Sequence, residues 1–303
     1  MKFRSGFIAI IGRPNVGKST LLNAILGEKV AITSERPQTT RSRMRGVKNL
    51  DASQIVFIDT PGLHGKEGLM NAFMVKEALS SLGNVDGVLF MVEANRHSNK
   101  EKSKERDKDE ALIVENLKRT AAPVLLVINK IDMINKDELL PIIDDYSARF
   151  AFKEVVPISA TKGINVDELV GVIEKLLPEG PKFFPDDILT DTLERTLVAE
   201  IIREKAFRFT SQEIPYSIAV VIEEFKEKPK KKLIAIKATI NVERDSQKGI
   251  VIGKGGKMLK TIGKAAREDM ERLLGVKVFL ELFVRVSKDW TRNKSALKEF
   301  GYD

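Results

Sequence analysis

The chain has 303 residues, of which 43% are hydrophobic and 31% charged, and its formal net charge is +8 at pH 7. This composition supports a substantial apolar core and excludes an intrinsically disordered or fibrous protein. The sequence contains no cysteine, which excludes disulfides, thiolate metal sites and a cysteine nucleophile, and the length favours two domains.

In the first half of the chain, short apolar runs alternate with helix-length segments. The runs rich in Val, Ile and Phe predict strands buried on both faces, and they lie at 7–11, 55–58, 88–92, 124–128 and 155–158. Their alternation with helices predicts right-handed crossovers and an α/β fold, with a mostly parallel sheet flanked by helices. The less apolar stretch 43–50 is expected to add an antiparallel edge strand.

A glycine-rich loop follows the first predicted strand. Residues 12–19, GRPNVGKS, fit the pattern G-x-x-x-x-G-K-S and precede a helix-like stretch at 19–26. The backbone N–H groups of such a loop surround phosphate oxygens, the lysine reaches the outer phosphates, and the serine hydroxyl can bind Mg²⁺. The predicted nucleotide-binding residues of this loop are Gly12, Asn15, Val16, Gly17, Lys18, Ser19 and Thr20.

The strand predicted at 55–58 leads into Asp59-Thr60-Pro61-Gly62. Open α/β sheets bind their ligands at the carboxyl ends of the strands, so these residues are expected beside the phosphate loop. There the Asp59 carboxylate can hold Mg²⁺ through water, and the Gly62 N–H can contact a terminal phosphate.

Residues 95–110 contain no apolar side chain. A segment of this composition is not expected to bury any side chain, and we therefore predict a surface loop or the start of a solvated helix.

The sequence Asn129-Lys130-Ile131-Asp132 follows the strand predicted at 124–128. A carboxylate at Asp132 can accept hydrogen bonds from the ring N–H and the exocyclic amine of guanine, whereas adenine would leave it unpaired. The pattern therefore predicts GTP rather than ATP. The predicted base-site residues, including two that follow the next strand, are Asn129, Lys130, Asp132, Ser159 and Ala160.

Residues 178–181, Pro-Glu-Gly-Pro, end the preceding helix and mark a domain boundary. Beyond them the pattern predicts a helix at 191–205 and two strands at 216–224 and 232–242. A helix pair around a glycine turn at 253–256, a third strand at 276–286 and a final helix from 290 are predicted to follow. Between 230 and 277 there are 13 basic and 5 acidic residues, an excess that attracts a polyanion.

The glycine turn reads Gly-Lys-Gly-Gly at 253–256, which is a G-x-x-G loop. Its glycines allow close approach of a sugar–phosphate backbone, and the neighbouring lysines neutralise phosphates. The loop resembles that of KH domains, and the resemblance implies that the apolar residues before it form the apolar side of a groove for unpaired bases. The predicted RNA-binding residues are Ile250, Val251, Ile252, Gly253, Lys254, Gly255, Gly256 and Lys257.

The order and spacing of the four nucleotide motifs resemble those of Ras-type small GTPases over about residues 5–178. The resemblance implies that the switch I threonine, a Mg²⁺ ligand in the GTP state, lies in Gln38-Thr39-Thr40-Arg41; we expect Thr40, with Thr39 as the alternative. It implies that the catalytic groups at the terminal phosphate are Lys18, Thr40 and Gly62.

Two positions bear on the rate of hydrolysis. Leu63 stands where Ras-like enzymes carry a water-orienting glutamine, and slow intrinsic hydrolysis is therefore expected. Asn15 resembles the asparagine that binds potassium in cation-stimulated relatives, which makes K⁺ a candidate cofactor in addition to Mg²⁺.

The second module has the element order of a helix-first KH domain, and a Ras-like GTPase followed by such a domain is the architecture of the Era family. The sequences at 12–19, 214–217 and 249–256 resemble Era sequences. The resemblance implies three segments: a P-loop GTPase domain at 1–178, a linker at 179–189 and an α+β KH domain at 190–303. It also implies a bacterial, cytoplasmic assembly factor of the small ribosomal subunit that binds single-stranded rRNA near the 3′ end of the small-subunit rRNA, and not DNA.

Two alternatives remain open at this point. One is a constitutive RNA-binding protein with weak GTPase activity, and the other is a membrane-surface regulatory GTPase that uses basic residues on anionic lipid. No apolar run approaches the roughly 18–20 residues that span a bilayer, and no signal peptide is recognised. Contact with the inner face of the cell membrane is therefore expected to be peripheral.

Overall fold

The computed structural model describes residues 2–33, 39–65, 68–94, 100–210, 214–229 and 232–302, without the side chains of 100–103 and 215. Contacts divide the chain into two compact units. The first contains Met1–Glu67 and Asn71–Asp191, and the second contains Gly68–Met70 and Thr192–Asp303.

The first unit is built on a six-stranded sheet with the strand order β2-β3-β1-β4-β5-β6. Its strands are β1 Arg4–Gly12, β2 Met44–Asn49, β3 Ser53–Asp59, β4 Gly87–Glu93, β5 Val124–Asn129 and β6 Glu154–Pro157. All neighbouring pairs are parallel except β2 with β3, which is antiparallel. The predicted parallel sheet and its antiparallel edge strand are thereby confirmed.

Helices follow the strands in the order that the sequence pattern predicts. They are α1 Lys18–Leu26, α2 Leu69–Ser80, α3 Lys100–Leu117, α4 Leu139–Arg149 and α5 Val166–Leu176. Every residue of β3 and of β5 is buried, as expected for apolar strands that are covered on both faces. The crossovers bring the carboxyl ends of β1, β3 and β5, and the loops that follow them, to one edge of the sheet.

The polar segment at 95–110 agrees with its prediction in starting a helix and differs from it in the burial of two residues. Its first residues, 95–99, lie outside the described residues, and from Lys100 the chain is helical as part of α3. Asp109 and Glu110 are buried, although the composition predicted that nothing here would be. The Asp109 carboxylate accepts a hydrogen bond from the Gly65 N–H at 2.8 Å, and Glu110 accepts one from the Tyr146 hydroxyl at 2.9 Å. Charged groups can be buried where such donors compensate for lost hydration.

Residues that follow α5 run along the first unit. The Ser5 hydroxyl donates to the Pro181 carbonyl at 2.6 Å, and the Gln54 side chain accepts from the Phe183 N–H at 2.7 Å. Farther on, the Val47 N–H donates to the Leu189 carbonyl at 2.8 Å. The segment predicted as a linker, 179–189, is thus anchored to β1, β2 and β3.

The second unit contains a three-stranded sheet with the strand order β7-β8-β9. Its elements are α6 Glu194–Phe209, β7 Ala219–Lys228, β8 Leu233–Val242, α7 Asp245–Ile252, α8 Lys257–Leu274, β9 Lys277–Val286 and α9 Lys294–Glu299. β7 and β8 are antiparallel, whereas β8 and β9 are parallel. The strand predicted at 216–224 begins later because Ile214–Ser217 forms a turn of 3₁₀ helix.

The core of the second unit lies between its sheet and its helices. Alternate residues of β8 are apolar and fully or almost fully buried, as in Ile236, Ala238 and Ile240. Trp290 is completely buried, and its indole N–H donates to the Ser217 carbonyl at 2.9 Å. This side chain therefore anchors the packing and is not available for base stacking. Across the described ranges, none of the helices combines the length and the apolar character that crossing a bilayer requires.

Candidate functional site

The phosphate loop connects β1 to α1 and is shaped by two glycines. A Cβ on Gly12 would lie 2.3 Å from the Met91 carbonyl oxygen, and one on Gly17 would lie 2.4 Å from the Asn129 side-chain nitrogen. Gly17 also has a φ of +101°, in the region that favours glycine. The two glycines that define the motif are therefore required by the packing around the loop.

Lys18 is buried at the start of α1, and its ammonium group folds back onto the loop. It donates to the carbonyl oxygens of Gly12 at 3.2 Å and Arg13 at 2.9 Å. Burial lowers the pKa of Lys18 to about 8, and the nearby Asp59 carboxylate opposes this shift. A buried ammonium group at this place is positioned to meet the charge of a phosphate.

Three oxygen-bearing side chains converge behind the loop. The Ser19 hydroxyl donates to Asp59 Oδ2 at 2.6 Å and lies 2.8 Å from the Thr40 hydroxyl, which itself donates to Asp59 at 3.3 Å. Of the two candidate threonines, Thr40 makes these contacts, while Thr39 lines the same cavity.

This convergence fits Mg²⁺. Asp59 is completely buried, and burial raises its pKa against the opposing effects of Lys18, Ser19 and Thr40. Its Oδ1 atom is buried without a hydrogen-bond partner among the described residues. An orphaned carboxylate oxygen beside two hydroxyl groups is the hard-oxygen donor set that Mg²⁺ and its bound waters prefer.

The segment after Asp59 packs against the phosphate loop. A Cβ on Gly62 would lie 2.5 Å from the backbone nitrogen of Pro14, so only glycine fits here. The Leu63 N–H donates to the Gly12 carbonyl at 3.1 Å, and the Leu63 side chain is completely buried in the apolar core. The next residue, His64, is also buried, and its carbonyl accepts a hydrogen bond from the Asn71 side chain at 3.1 Å.

The cavity bounded by these elements contains most of the predicted phosphate-loop residues. Thr20 and Asn15 line it, and Asn15 has a φ of +65°. Val16 is buried, and its carbonyl accepts from the Asn129 side chain. The full lining is Pro14, Asn15, Gly17, Lys18, Ser19, Thr20, Ile32, Thr33, Thr39, Thr40 and Gly62.

Asn129 connects the phosphate loop to the predicted base site. Its side-chain amide donates to the Val16 carbonyl at 2.8 Å and accepts from the Ala160 N–H at 2.9 Å. A single buried amide thus holds three segments, from the ends of β1, β5 and β6, in fixed register.

The residues predicted to contact guanine surround Asn129. Lys130 has a φ of +65° and pairs with Glu93 at 2.7 Å, which holds its stem in place. Asp132 is exposed in a short 3₁₀ helix, so its carboxylate is accessible to a base. Ser159 is buried and forms an antiparallel bridge with Ile164, which shapes the loop that presents the Ala160 N–H.

The G-x-x-G loop joins α7 to α8 in the second unit. Gly253, Gly255 and Gly256 have φ values of +70°, +60° and +75°, and a Cβ on Gly253 would lie 2.7 Å from that of Met258. Lys254 and Lys257 are exposed, the latter on the first turn of α8. Exposed lysines beside open glycine backbone form a surface that a nucleic-acid backbone can approach closely.

One predicted RNA-contact residue belongs to the core. Val251 is completely buried among apolar side chains of the second unit, and its side chain cannot line a groove. Ile252 is partly buried, and Ile250 is exposed. The helical period accounts for this difference, since neighbouring residues of α7 point in different directions.

A groove beside the loop runs between α8 and the edge strand β9, and of its lining residues sequence reasoning predicted Gly256 but missed the others. Apolar groups and three basic side chains line it: Gly256, Leu259, Lys260, Gly263, Lys264, Arg267, Val278, Phe279, Leu280 and Leu282. The helical spacing of Lys257, Lys260, Lys264 and Arg267 could have revealed them. At the turn between β7 and β8, Lys228 and Lys232 are exposed, while Lys230 and Lys231 lie outside the described residues.

Two family models match the chain. The family described as 50S ribosome-binding GTPase matches residues 7–130, and the family described as KH domain matches residues 213–291. The two matches fall on the two units.

Curated relatives match along the whole chain. A protein named GTPase Era from Geobacter sp. strain M21 is 57% identical over 302 residues, covering 100% of this chain and 99% of the relative. GTPase Era from Geotalea uraniireducens is 57% identical with the same coverage, and that from Syntrophus aciditrophicus is 52% identical over 99% of this chain.

Two solved structures are similar over 99% of both chains, each with a TM-score of 0.92. One, at 44% identity, is a variant of Aquifex aeolicus Era bound to GDP and AlF₄⁻. The other, at 45% identity, is Era in complex with MgGDPNP and nucleotides 1506–1542 of 16S ribosomal RNA.

Proposed function

The chain belongs to the Era family of GTPases, and we propose that it is a GTP-hydrolysing switch that binds rRNA during assembly of the small ribosomal subunit. The observation that carries the GTPase assignment is the convergence of Ser19, Thr40 and Asp59 behind the phosphate loop. A G-x-x-G loop with exposed lysines in the second unit supports the RNA-binding part.

In the proposed reaction, the loop N–H groups and the Lys18 ammonium bind the outer phosphates of GTP. The Lys18 charge lies where negative charge accumulates as the terminal phosphoryl group leaves. Mg²⁺, held by Ser19, Thr40 and, through water, Asp59, neutralises charge on the phosphates when it is bound. The Gly62 N–H is proposed to contact the terminal phosphate, which is consistent with its packing on the phosphate loop.

The rate of hydrolysis is proposed to be slow. The Leu63 side chain is buried in the core and has no polar group, so it cannot orient an attacking water. His64 is also buried. Potassium at Asn15 stays a prediction, supported by the place of this residue in the wall of the phosphate cavity.

RNA binding is proposed for the second unit. The relative that contains nucleotides 1506–1542 of 16S rRNA supports a target near the 3′ end of that molecule. In this chain the G-x-x-G loop would clamp the backbone of about four nucleotides, as KH domains do. The apolar and basic groove between α8 and β9 would receive the unpaired bases.

The domain limits and the cellular location are also proposals. We propose a GTPase domain at 1–178 and a KH domain at 190–303, and the contact-based division after Asp191 supports this proposal. We propose that 179–189 is a connecting segment fixed to the GTPase domain. A ribosome assembly factor would act in the cytoplasm, and peripheral contact with the inner face of the membrane stays a prediction.

Nucleotide specificity tests the proposal. With Mg²⁺ present, the protein should bind GTP about 100-fold more tightly than ATP, since adenine leaves the Asp132 carboxylate unpaired. Asp132→Asn should weaken GTP binding about 100-fold, because it removes two charge-assisted hydrogen bonds, and should favour xanthosine triphosphate. Equilibrium titrations with fluorescent nucleotides measure both effects.

A second test of the proposed function measures hydrolysis of GTP by a variant of the phosphate loop. Lys18→Ala should abolish release of phosphate from GTP without lowering the thermal unfolding temperature, because the buried ammonium group itself favours unfolding at neutral pH. Equal affinity of the wild-type protein for ATP and GTP, or full hydrolysis by Lys18→Ala, would contradict the proposed function.

A further inference from the structure

Asp109 lies in the polar segment that was expected to stay at the surface, yet its carboxylate is buried. It lies on α3, outside the four nucleotide motifs. Its Oδ1 accepts a hydrogen bond from the Gly65 N–H at 2.8 Å, and its Oδ2 lies 3.4 Å from Nε of Arg13. One carboxylate therefore links two loops that border the phosphates.

The first linked loop contains Gly62, whose N–H is proposed to contact the terminal phosphate. Gly65 is three residues beyond Gly62, and the intervening Leu63 is held by its backbone bond to Gly12 and by its buried side chain. The hydrogen bond to Asp109 fixes the far end of this short segment. With both ends held, the position of the Gly62 N–H is well defined.

The second linked loop is the phosphate loop itself. Arg13 is only partly exposed, and its ion pair with Asp109 directs the guanidinium toward α3. An arginine beside a transferring phosphoryl group can stabilise the transition state. In this structure Arg13 instead pairs with Asp109, and the ion pair restrains the backbone of the phosphate loop between Gly12 and Pro14. Pro14 is the residue against which Gly62 packs.

The neighbouring acid on α3 has a different role. Glu110 accepts a hydrogen bond from the Tyr146 hydroxyl at 2.9 Å, and its Oε2 atom lies 3.5 Å from Nη1 of Arg149. Tyr146 and Arg149 both belong to α4. Burial raises its pKa, and Tyr146, Arg106, Arg13 and Arg149 partly offset this shift. Glu110 thus joins α3 to α4, whereas Asp109 joins α3 to the phosphate site.

We propose that Asp109 is a positioning residue for GTP hydrolysis, which holds Gly65 and Arg13 so that the segment 62–65 keeps its place against the phosphate loop. This inference rests on the proposed GTPase function. Asp109 affects the hydrolysis step more than nucleotide binding, because most groups that bind the nucleotide are held independently of Asp109.

Single-turnover hydrolysis of saturating GTP tests the role. Asp109→Ala should lower the rate about tenfold, as expected when a catalytic segment is misplaced by a fraction of an ångström. The affinity for GDP should stay within about twofold, since GDP lacks the terminal phosphate. Asp109→Asn keeps an oxygen that can accept from Gly65 and should restore most of the rate.

Two further variants make the result specific. Gly65→Pro removes the same N–H donor without altering α3, and it should slow hydrolysis with no additional loss in combination with Asp109→Ala. Glu110→Gln is the matched control: it alters the adjacent buried acid and should lower thermal stability while leaving the hydrolysis rate within about twofold.

The outcomes separate the two proposals. If the wild-type protein does not hydrolyse GTP, the proposed function fails. If it does and Asp109→Ala hydrolyses GTP at the wild-type rate, or if Glu110→Gln slows hydrolysis as much, the role of Asp109 is refuted. Should Asp109→Ala fail to fold, Gly65→Pro and Asp109→Asn decide the matter by the same rate measurement.

Discussion

Single residues in the nucleotide site carry charges that the fold has partly removed from water. Lys18 is the clearest case, because burial lowers its pKa from 10.5 to about 8 in spite of the nearby Asp59 carboxylate. Since the folded-state pKa lies below the unfolded value, this group favours unfolding at neutral pH, and the effect disappears as pH rises from about 8 to 10.5. The fold thus holds a charge that a phosphate would stabilise.

Nucleotide affinity should therefore depend on pH on the alkaline side. Above a pH of about 8, the free protein loses the Lys18 proton and must recover it to bind phosphate, so affinity should fall by up to about tenfold per pH unit. Titration calorimetry of GDP with Mg²⁺, in buffers of different ionisation enthalpy, measures both the affinity and the uptake of the proton.

The matched control is Lys18→Arg, since arginine stays charged throughout this range. Whatever its absolute affinity, its binding should be independent of pH between about 7 and 8.5. If the affinity of the wild-type protein for GDP is also independent of pH in this range, the pKa of Lys18 is not lowered and the prediction is wrong.

The residues of the nucleotide motifs could be predicted from the sequence, whereas Asp109 could not. The motifs located Lys18, Ser19, Asp59 and Asn129 because each motif follows or ends a strand with a strong apolar pattern. The same pattern could not place Asp109, since its burial depends on a donor from Gly65, 44 residues away in sequence. Composition predicts burial only where side chains are apolar, and it cannot anticipate a distant hydrogen-bond donor.

At the scale of elements, α8 is the helix whose sequence carries most of the information on RNA binding. Its buried face includes Ile262, Ala266 and Met270, while Lys257, Lys260, Lys264 and Arg267 are exposed beside the groove. A groove for bases was predicted beside the loop, but its lining by α8 and the edge strand β9 was not, because strand order cannot be deduced from the period of one helix. Val251 was expected in the groove as one of the apolar residues before the loop, whereas tertiary packing buries it in the core.

Removing charge from α8 should change how RNA affinity depends on salt. Each phosphate contact to a single strand contributes a slope of about −0.7 in a plot of log affinity against log salt concentration. Lys260→Ala and Lys264→Ala should each make the slope shallower by about this amount and should leave base preference largely unchanged. Fluorescence anisotropy with a single-stranded oligonucleotide, over several salt concentrations, measures the slope.

Lys175→Ala serves as the comparison, since Lys175 is an exposed lysine on α5 in the first unit. It removes the same charge from the whole protein, and its slope should equal that of the wild type. If the three variants shift the slope equally, the effect comes from net charge, and the groove between α8 and β9 is not the RNA-binding surface.

At the scale of the whole molecule, the sequence predicted both modules because each contains a motif inside a regular element pattern. The phosphate loop lies between β1 and α1, and the G-x-x-G loop lies between α7 and α8. Between the modules, proline and glycine at 178–181 marked the end of a helix but could not show that the following residues bind along β1, β2 and β3. Those contacts involve polar groups that no local pattern distinguishes.

A chain that combines these two modules acts as a switch only if the two ligands influence each other. If the GTP state favours RNA binding, a nonhydrolysable GTP analogue should raise RNA affinity relative to GDP by about 5- to 150-fold, corresponding to a coupling free energy of about 1–3 kcal/mol. Linkage requires that RNA raise the preference of the protein for the analogue over GDP by the same factor. Measuring all four affinities, with Mg²⁺ and at one salt concentration, closes the thermodynamic cycle. Equal RNA affinity in the two nucleotide states would show that the modules act independently, in which case the chain would be a constitutive RNA-binding protein attached to a GTPase.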